Sequence, residues 1–126
     1  MQRVHSERAP TPVGPYSQAI AHAGFVFASG QIPLDPRSGK PVAGEIEAQT
    51  EQVIANLAAV LEAAGSGLAH VVKTTVYVTD LALFARINAV YARSFTGAAP
   101  PARATVQVAA LPLGVAIEID AIAVLP

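Results

Sequence analysis

The chain has 126 residues, with 8 Lys and Arg against 9 Asp and Glu, a formal net charge of -1 at pH 7 and no cysteine. That length predicts a single domain over 1–126. The composition excludes disulfides, thiolate catalysis and Cys-based metal sites, and the charge balance gives no argument for nucleic acid or an anionic membrane. Charged residues are 13% of the chain and hydrophobic ones 52%, against roughly 25% charged in an average soluble domain. Alanine richness accounts for part of this; burial of surface in an oligomer is the reading carried forward.

In chain order, residues 1–8 are polar and charged and do not read as a signal peptide. Short strands are predicted at 19–22 and 25–29, joined as a hairpin through Ala23-Gly24. Residues 31–44 read as a loop with a turn at 36–40. A helix is predicted over 45–64, with Val53, Leu57, Val60, Leu61 and Ala64 at helical spacing. Glu45, Glu47 and Glu51 suit its positive end, and Gly65 stops it. A strand follows at 70–79. Asp80 then caps a second helix carrying Phe84, Ile87, Val90, Tyr91 and Phe95 as an apolar stripe, ended by Gly97. The longest apolar stretch, 108–117, is too short to span a bilayer and contains Pro112 and Gly114, so no membrane association and a cytoplasmic location are expected.

Two final strands carry the chemistry. Strand side chains alternate faces, so Arg103, Thr105 and Gln107 share one face of the first, and Glu118 and Asp120 share one face of the second. Ala104, Val106 and Val108, and Ile117, Ile119 and Ala121, read as the core faces. This predicts a guanidinium and two carboxylates on the same non-core side of one sheet. The order β-β-α-β-α-β-β makes an α/β (α+β) fold, one mixed sheet with two helices on one face. The other face, bearing Thr75, Arg103, Thr105 and Glu118, is left solvated or docked on another subunit; Tyr77 and Ile122 favour docking. His5, His22 and His70 are too scattered for a metal site.

Gly14-Pro15-Tyr16-Ser17-Gln18-Ala19, Ser29-Gly30-Gln31-Ile32-Pro33 and the run from Lys73 to Leu81 resemble motifs of the Rid (YjgF/RidA) family. So do Phe84, Asn88 and Tyr91, Pro101-Ala102-Arg103 with Leu111-Pro112, and the run from Glu118 to Ala123. The resemblance covers essentially the whole chain, with the motifs in the family's order. It implies a chorismate-mutase-like fold, a homotrimer with sites between subunits, and, in the 2-iminobutanoate/2-iminopropanoate deaminase branch, hydrolysis of reactive 2-imino acids to 2-keto acids and ammonia with no metal or organic cofactor.

Carried onto this chain, the resemblance makes Arg103 the carboxylate-binding arginine, for which a planar guanidinium is suited; the alternative is an intersubunit salt bridge. Glu118 becomes the glutamate that positions water, the alternative being a partner for Arg103. Tyr16 matches a tyrosine at the site entrance, or a loop anchor. Ser29 and Gly30 fall where backbone lines the pocket, the alternative being a simple strand end; Asn88 falls among the substrate-binding residues, the alternatives being a bond across the subunit interface or the cap of a packing contact. Asp120 reads as structural. Thr105 stands where the branch most often described carries cysteine, which puts substrate preference in doubt. Two other functions fit the same fold: a non-catalytic small-metabolite-binding trimer or pathway-specific paralogue, and a ribonuclease or translation inhibitor. The low net charge disfavours RNA as a partner. The water-orienting glutamate, which a pure binder would not need, favours the enzyme.

Overall fold

The structure is a computed structural model that describes residues 1–126. Six strands, β1 (Gln2–Val4), β2 (Ala19–His22), β3 (Phe25–Gln31), β4 (Val71–Val78), β5 (Ala102–Gln107) and β6 (Ile117–Val124), and two helices, α1 (Ile46–Ala63) and α2 (Phe84–Ser94), make up the fold. The sheet order is β1-β2-β3-β6-β4-β5. All neighbours are antiparallel except β4 and β5, which are parallel and joined through α2.

The elements form for local reasons. In β6 every second residue, from Ile117 to Ala123, is buried and those between are half-buried, the period expected of a strand with one covered face. The β2–β3 hairpin turns through Ala23 (φ 51°) and Gly24 (φ 82°), the two positive φ angles of a tight hairpin turn that follows the twist of its strands. At the end of α1 the Ser66 N–H donates to the Leu61 carbonyl and the Gly65 N–H to that of Glu62. Gly65, at φ 85°, supplies the left-handed residue this closure requires. Val53, Leu57, Val60 and Leu61 of α1, with Ile87 and Val90 of α2, bury Val26, Val76, Val78, Ile117 and Ile119 beneath them.

The predicted architecture holds, with four differences. β1, absent from the expected order, makes the sheet six-stranded. It is three residues long and pairs with β2 through Gln2, Arg3 and Val4, too short and polar to show a period. β3 runs past Ser29 to Gln31, with a shift in register between Ala28 and Gln31, so Ser29 and Gly30 lie at an irregularity inside the strand. Asp80 accepts the Ala82 N–H and so caps a single 3-10 turn over Leu81–Leu83, after which α2 begins at Phe84. Phe84 is exposed and does not share the buried stripe of Ile87, Val90, Tyr91 and Phe95. The helix also ends at Ser94, before Gly97. Gly97 instead packs flat on the Ala69 carbonyl, where a Cβ would lie 2.8 Å from that oxygen.

The fourth difference concerns the site. β5 pairs with β4 in the register Thr74↔Arg103, Thr75↔Ala104, Val76↔Thr105 and Tyr77↔Val106. Paired residues project on the same side of a sheet, and Thr74 and Val76 are fully buried beneath the helices. Arg103 and Thr105 therefore lie on the helical face, and Ala104 and Val106, expected in the core, lie on the open one. In β6, Tyr77↔Glu118 and Thr75↔Asp120 put both carboxylates on the open face. Within one chain, Arg103 and Glu118 point to opposite sides of the sheet, with β4 between their strands. The expectation failed because β5 is an edge strand. Neither of its faces is fully covered, so an apolar side chain does not mark the core side, and register against buried β4 decides.

The open face is apolar along one cross-strand row, Ile20↔Phe27↔Ile122. Phe25 and Phe27 are 42% and 45% exposed on it, with ring centroids 6.1 Å apart.

Candidate functional site

Arg103 reaches over the flank of α2. Its Nη1 donates to Asn88 Oδ1 at 2.8 Å. The guanidinium carbon lies 4.8 Å from the centre of the Tyr91 ring and 5.5 Å from that of Phe84. Four carboxylates of the chain are committed to other arginines, namely Glu62 to Arg8, Glu45 and Glu47 to Arg86, and Glu51 to Arg93; none pairs with Arg103. The guanidinium borders a cleft of about 400 Å³ walled by Tyr91, Phe95, Pro100 and Pro101. Asn88 and Arg103, taken separately from the sequence, are thus brought together.

Thr105 sits two residues along the same face, but its hydroxyl is buried and has no hydrogen-bond partner in the chain. An unsatisfied buried hydroxyl is destabilising by about 1–3 kcal/mol. Thr105→Val, which keeps the shape and removes the polar atom, is expected to raise stability by about 1 kcal/mol, read as a higher denaturation midpoint at unchanged m-value. A loss of stability would show that the hydroxyl finds a partner outside its own chain.

Glu118 occupies the other face. Its carboxylate lies directly over Gly30, whose Cβ, were there one, would sit 2.8 Å from Glu118 Cδ and closer still to Oε2. Any side chain at residue 30 would displace that carboxylate. Burial first, and then the charge of Asp120, hold the Glu118 carboxyl above its ordinary range, with no hydrogen bond to the charged form opposing them. Asp120 is satisfied: it accepts the Thr75 N–H at 3.2 Å and the Tyr77 hydroxyl at 3.0 Å. Burial, and next the Asp120 hydrogen bond, push the Tyr77 phenol up. Two carboxylates two residues apart therefore differ. Asp120 is tied into the sheet; Glu118 is half-buried and makes no hydrogen bond within the chain.

Gly30 also lines a small pocket with Tyr16, Val13 and Ile32. The Tyr16 hydroxyl accepts the Val13 N–H at 3.3 Å, while the ring remains 47% exposed. The Ser29 hydroxyl donates to the Ser17 carbonyl at 2.6 Å, which ties the strand to the segment bearing Tyr16. Tyr16, Ser29, Gly30 and Glu118 thus form one group, and Arg103 and Asn88 another; one chain does not bring the two groups together.

Two residues that shape the Glu118 side were not singled out as site residues from sequence. Gln18, buried, accepts the Ser6 N–H at 2.6 Å and donates to the Ser6 and Pro10 carbonyls at 3.1 and 3.0 Å. Asn56 of α1 donates to the carbonyls of Ile32 and Leu34 at 3.2 and 3.0 Å. Both satisfy loop backbone that would otherwise be orphaned and hold the segments on either side of Gly30. A polar residue inside the apolar face of a helix, as Asn56 is in α1, was the available signal.

No helix of the structure is long and apolar enough to cross a membrane. The chain is similar to known proteins along nearly its whole length. The chain is 58% identical over 123 residues to protein DfrA of Myxococcus xanthus, covering 96% of this chain and 93% of that protein. It is 48% identical over 123 residues to the 2-iminobutanoate/2-iminopropanoate deaminase of Salmonella typhimurium, covering 96% and 95%. Among solved structures, E. coli TdcF with bound serine superposes with a TM-score of 0.93 at 40% identity, over 98% of each chain. The family model described as Endoribonuclease L-PSP matches residues 6–125, and with that match, these identities and the shared fold, the chain belongs to the Rid (YjgF) family.

Proposed function

We propose that the protein is a cofactor-independent hydrolytic deaminase of 2-imino acids, working as a homotrimer in which Arg103 of one subunit and Glu118 of the next face a common substrate. The observation that carries this reading is the Glu118 carboxylate: half-buried, held above its ordinary range and free of any hydrogen bond in its own chain. A carboxyl in that state is suited to take a proton from water and return it.

The chemistry follows. Arg103 holds the substrate carboxylate by two parallel N–H···O bonds. Glu118 accepts a proton from a water as its oxygen adds to the imine carbon and the nitrogen takes a proton from solvent, giving a carbinolamine. The proton is passed to nitrogen, the C–N bond breaks with its electron pair leaving on nitrogen, and the hydroxyl proton is lost as the carbonyl forms. Imine and water thus become 2-keto acid and ammonia, with no change of oxidation state. The apolar open face with Phe25, Phe27 and Ile122 supplies surface for subunit contact, which takes about 800 Å² per partner in an ordinary interface.

The test is an assay in which a dehydratase generates 2-aminoacrylate, whose tautomer is 2-iminopropanoate. Decay of the imine should accelerate in the presence of the protein, and light scattering should report three copies. A protein that binds 2-oxobutanoate but leaves imine decay unchanged is a metabolite-binding trimer instead. Gly30→Ala is expected to displace the Glu118 carboxylate and lower turnover by roughly 10²-fold, since misplacement by about 1 Å has that effect; single-turnover rates on the variant check it, and an unchanged rate would mean that Glu118 need not sit where it does.

A further inference from the structure

We infer that Tyr91 is a positioning residue: its ring, tethered through its hydroxyl to Thr74, is the platform that sets the plane of the Arg103 guanidinium. This rests on the reading of Arg103 as a carboxylate clamp. A bidentate contact requires the two N–H groups to lie in the plane of the incoming carboxylate, and an arginine on an edge strand has four side-chain torsions with which to lose that plane.

Three contacts restrain it. Asn88 accepts one Nη1 proton. Phe84 lies 5.5 Å and Tyr91 4.8 Å from the guanidinium carbon, Tyr91 being the nearer. Tyr91 is itself fixed. Its ring stacks on Phe95 with centroids 4.3 Å apart, it is only 7% exposed, and its hydroxyl is 2.6 Å from Thr74 Oγ1. Thr74 is fully buried on the core face of β4, where an apolar β-branched residue would fit the helices without needing a hydrogen bond. A hydroxyl there requires a partner, and Tyr91 is it. Because Thr74 is also the register partner of Arg103, the tether and the guanidinium leave neighbouring strands at the same level. The ring closes a triangle of strand, helix and clamp.

A tyrosine that merely filled the core would influence stability and nothing else. The deciding measurement is the side-chain Nε–H resonance of Arg103 in ¹⁵N spectra of the free protein. In the wild type the nearby ring should shift it from the ordinary arginine position and slow its motion. Tyr91→Leu should return it to the ordinary position with fast motion. The same variant should raise the dissociation constant of 2-oxobutanoate and the KM for imine by roughly tenfold, with kcat within about twofold, because a carboxylate contact made equally in ground and transition states appears in KM. Tyr91→Phe and Thr74→Val remove the tether alone; each should weaken binding about two- to threefold, and the double variant no further than either. Should Tyr91→Leu fail to fold, these two carry the test. An Arg103 resonance unmoved by all three variants overturns the inference. Wild-type protein that does not accelerate imine decay, while the resonance and keto-acid affinity still respond to Tyr91, overturns the deaminase reading and leaves the platform standing.

Discussion

Replacing Arg103 with alanine is expected to remove nearly all imine hydrolysis. The guanidinium is held against two aromatic rings and Asn88 and pairs with no carboxylate of its own chain, so its charge is available to a ligand. Losing a charge-assisted contact that leaves the substrate carboxylate unpaired costs roughly 2–5 kcal/mol, or about 30- to several-thousand-fold in kcat/KM. Arg103→Lys should recover little. A point charge on a flexible stem keeps neither the planar fork nor the stacking on Tyr91. Steady-state kinetics with light scattering on the same samples decide the matter: a variant that keeps the wild-type oligomeric state and near-normal turnover would show that the carboxylate is held elsewhere.

Glu118→Gln is expected to separate binding from chemistry. The amide matches the carboxylate in size and keeps an oxygen over Gly30, but it accepts no proton from water. Turnover should fall by roughly 10²-fold or more, while calorimetric titration with 2-oxobutanoate should show affinity retained. The opposite faces of Arg103 and Glu118 add a sharper test. On the proposed shared site neither variant alone holds a complete one, whereas trimers assembled from both would contain interfaces where an intact Arg103 meets an intact Glu118. Random mixing makes about a quarter of all sites complete, so co-refolded variants should regain up to that fraction of wild-type activity. No regain would mean that a single chain supplies both groups, which the register of β4, β5 and β6 does not allow, and the shared site would have to be abandoned.

The same substitution has a stability consequence with a definite sign. The folded-state carboxyl of Glu118 is raised above its ordinary value, by burial and by Asp120. The folded protein therefore binds more protons than the unfolded chain as pH rises through that window, and Glu118 destabilises the fold progressively across it. Glu118→Gln removes the effect. The variant should be more stable than the wild type at neutral pH, and the difference should shrink as pH falls into the ordinary carboxylate range. A variant less stable than the wild type at neutral pH would mean instead that the carboxylate gains a cationic partner outside its own chain.

Much of this protein is legible in its sequence because much of it is governed by short-range rules. The period of α1, the alternation in β6, the stop at Gly65 and the hairpin at Ala23-Gly24 each depend on a few neighbouring residues, and all lie where local chemistry puts them. The family motifs likewise single out Arg103, Glu118, Gly30 and Tyr16 as residues to watch. Parity within β5 was legible too, since Arg103 and Thr105 do share a face. What that face looks at was not. An edge strand has no fully buried side, so hydrophobicity could not orient it, and Ala104 and Val106 gave the wrong answer. The pairing Thr74↔Arg103 is a contact between residues far apart in the chain, and it sets the guanidinium on the helical side of the sheet while Glu118 stays on the open one. The platform of Tyr91 on Thr74 and the closeness of Glu118 to Gly30 are of the same kind. Local propensity acts within a turn or a strand. Which groups meet across the sheet depends on register, and register is settled when the whole core packs at once.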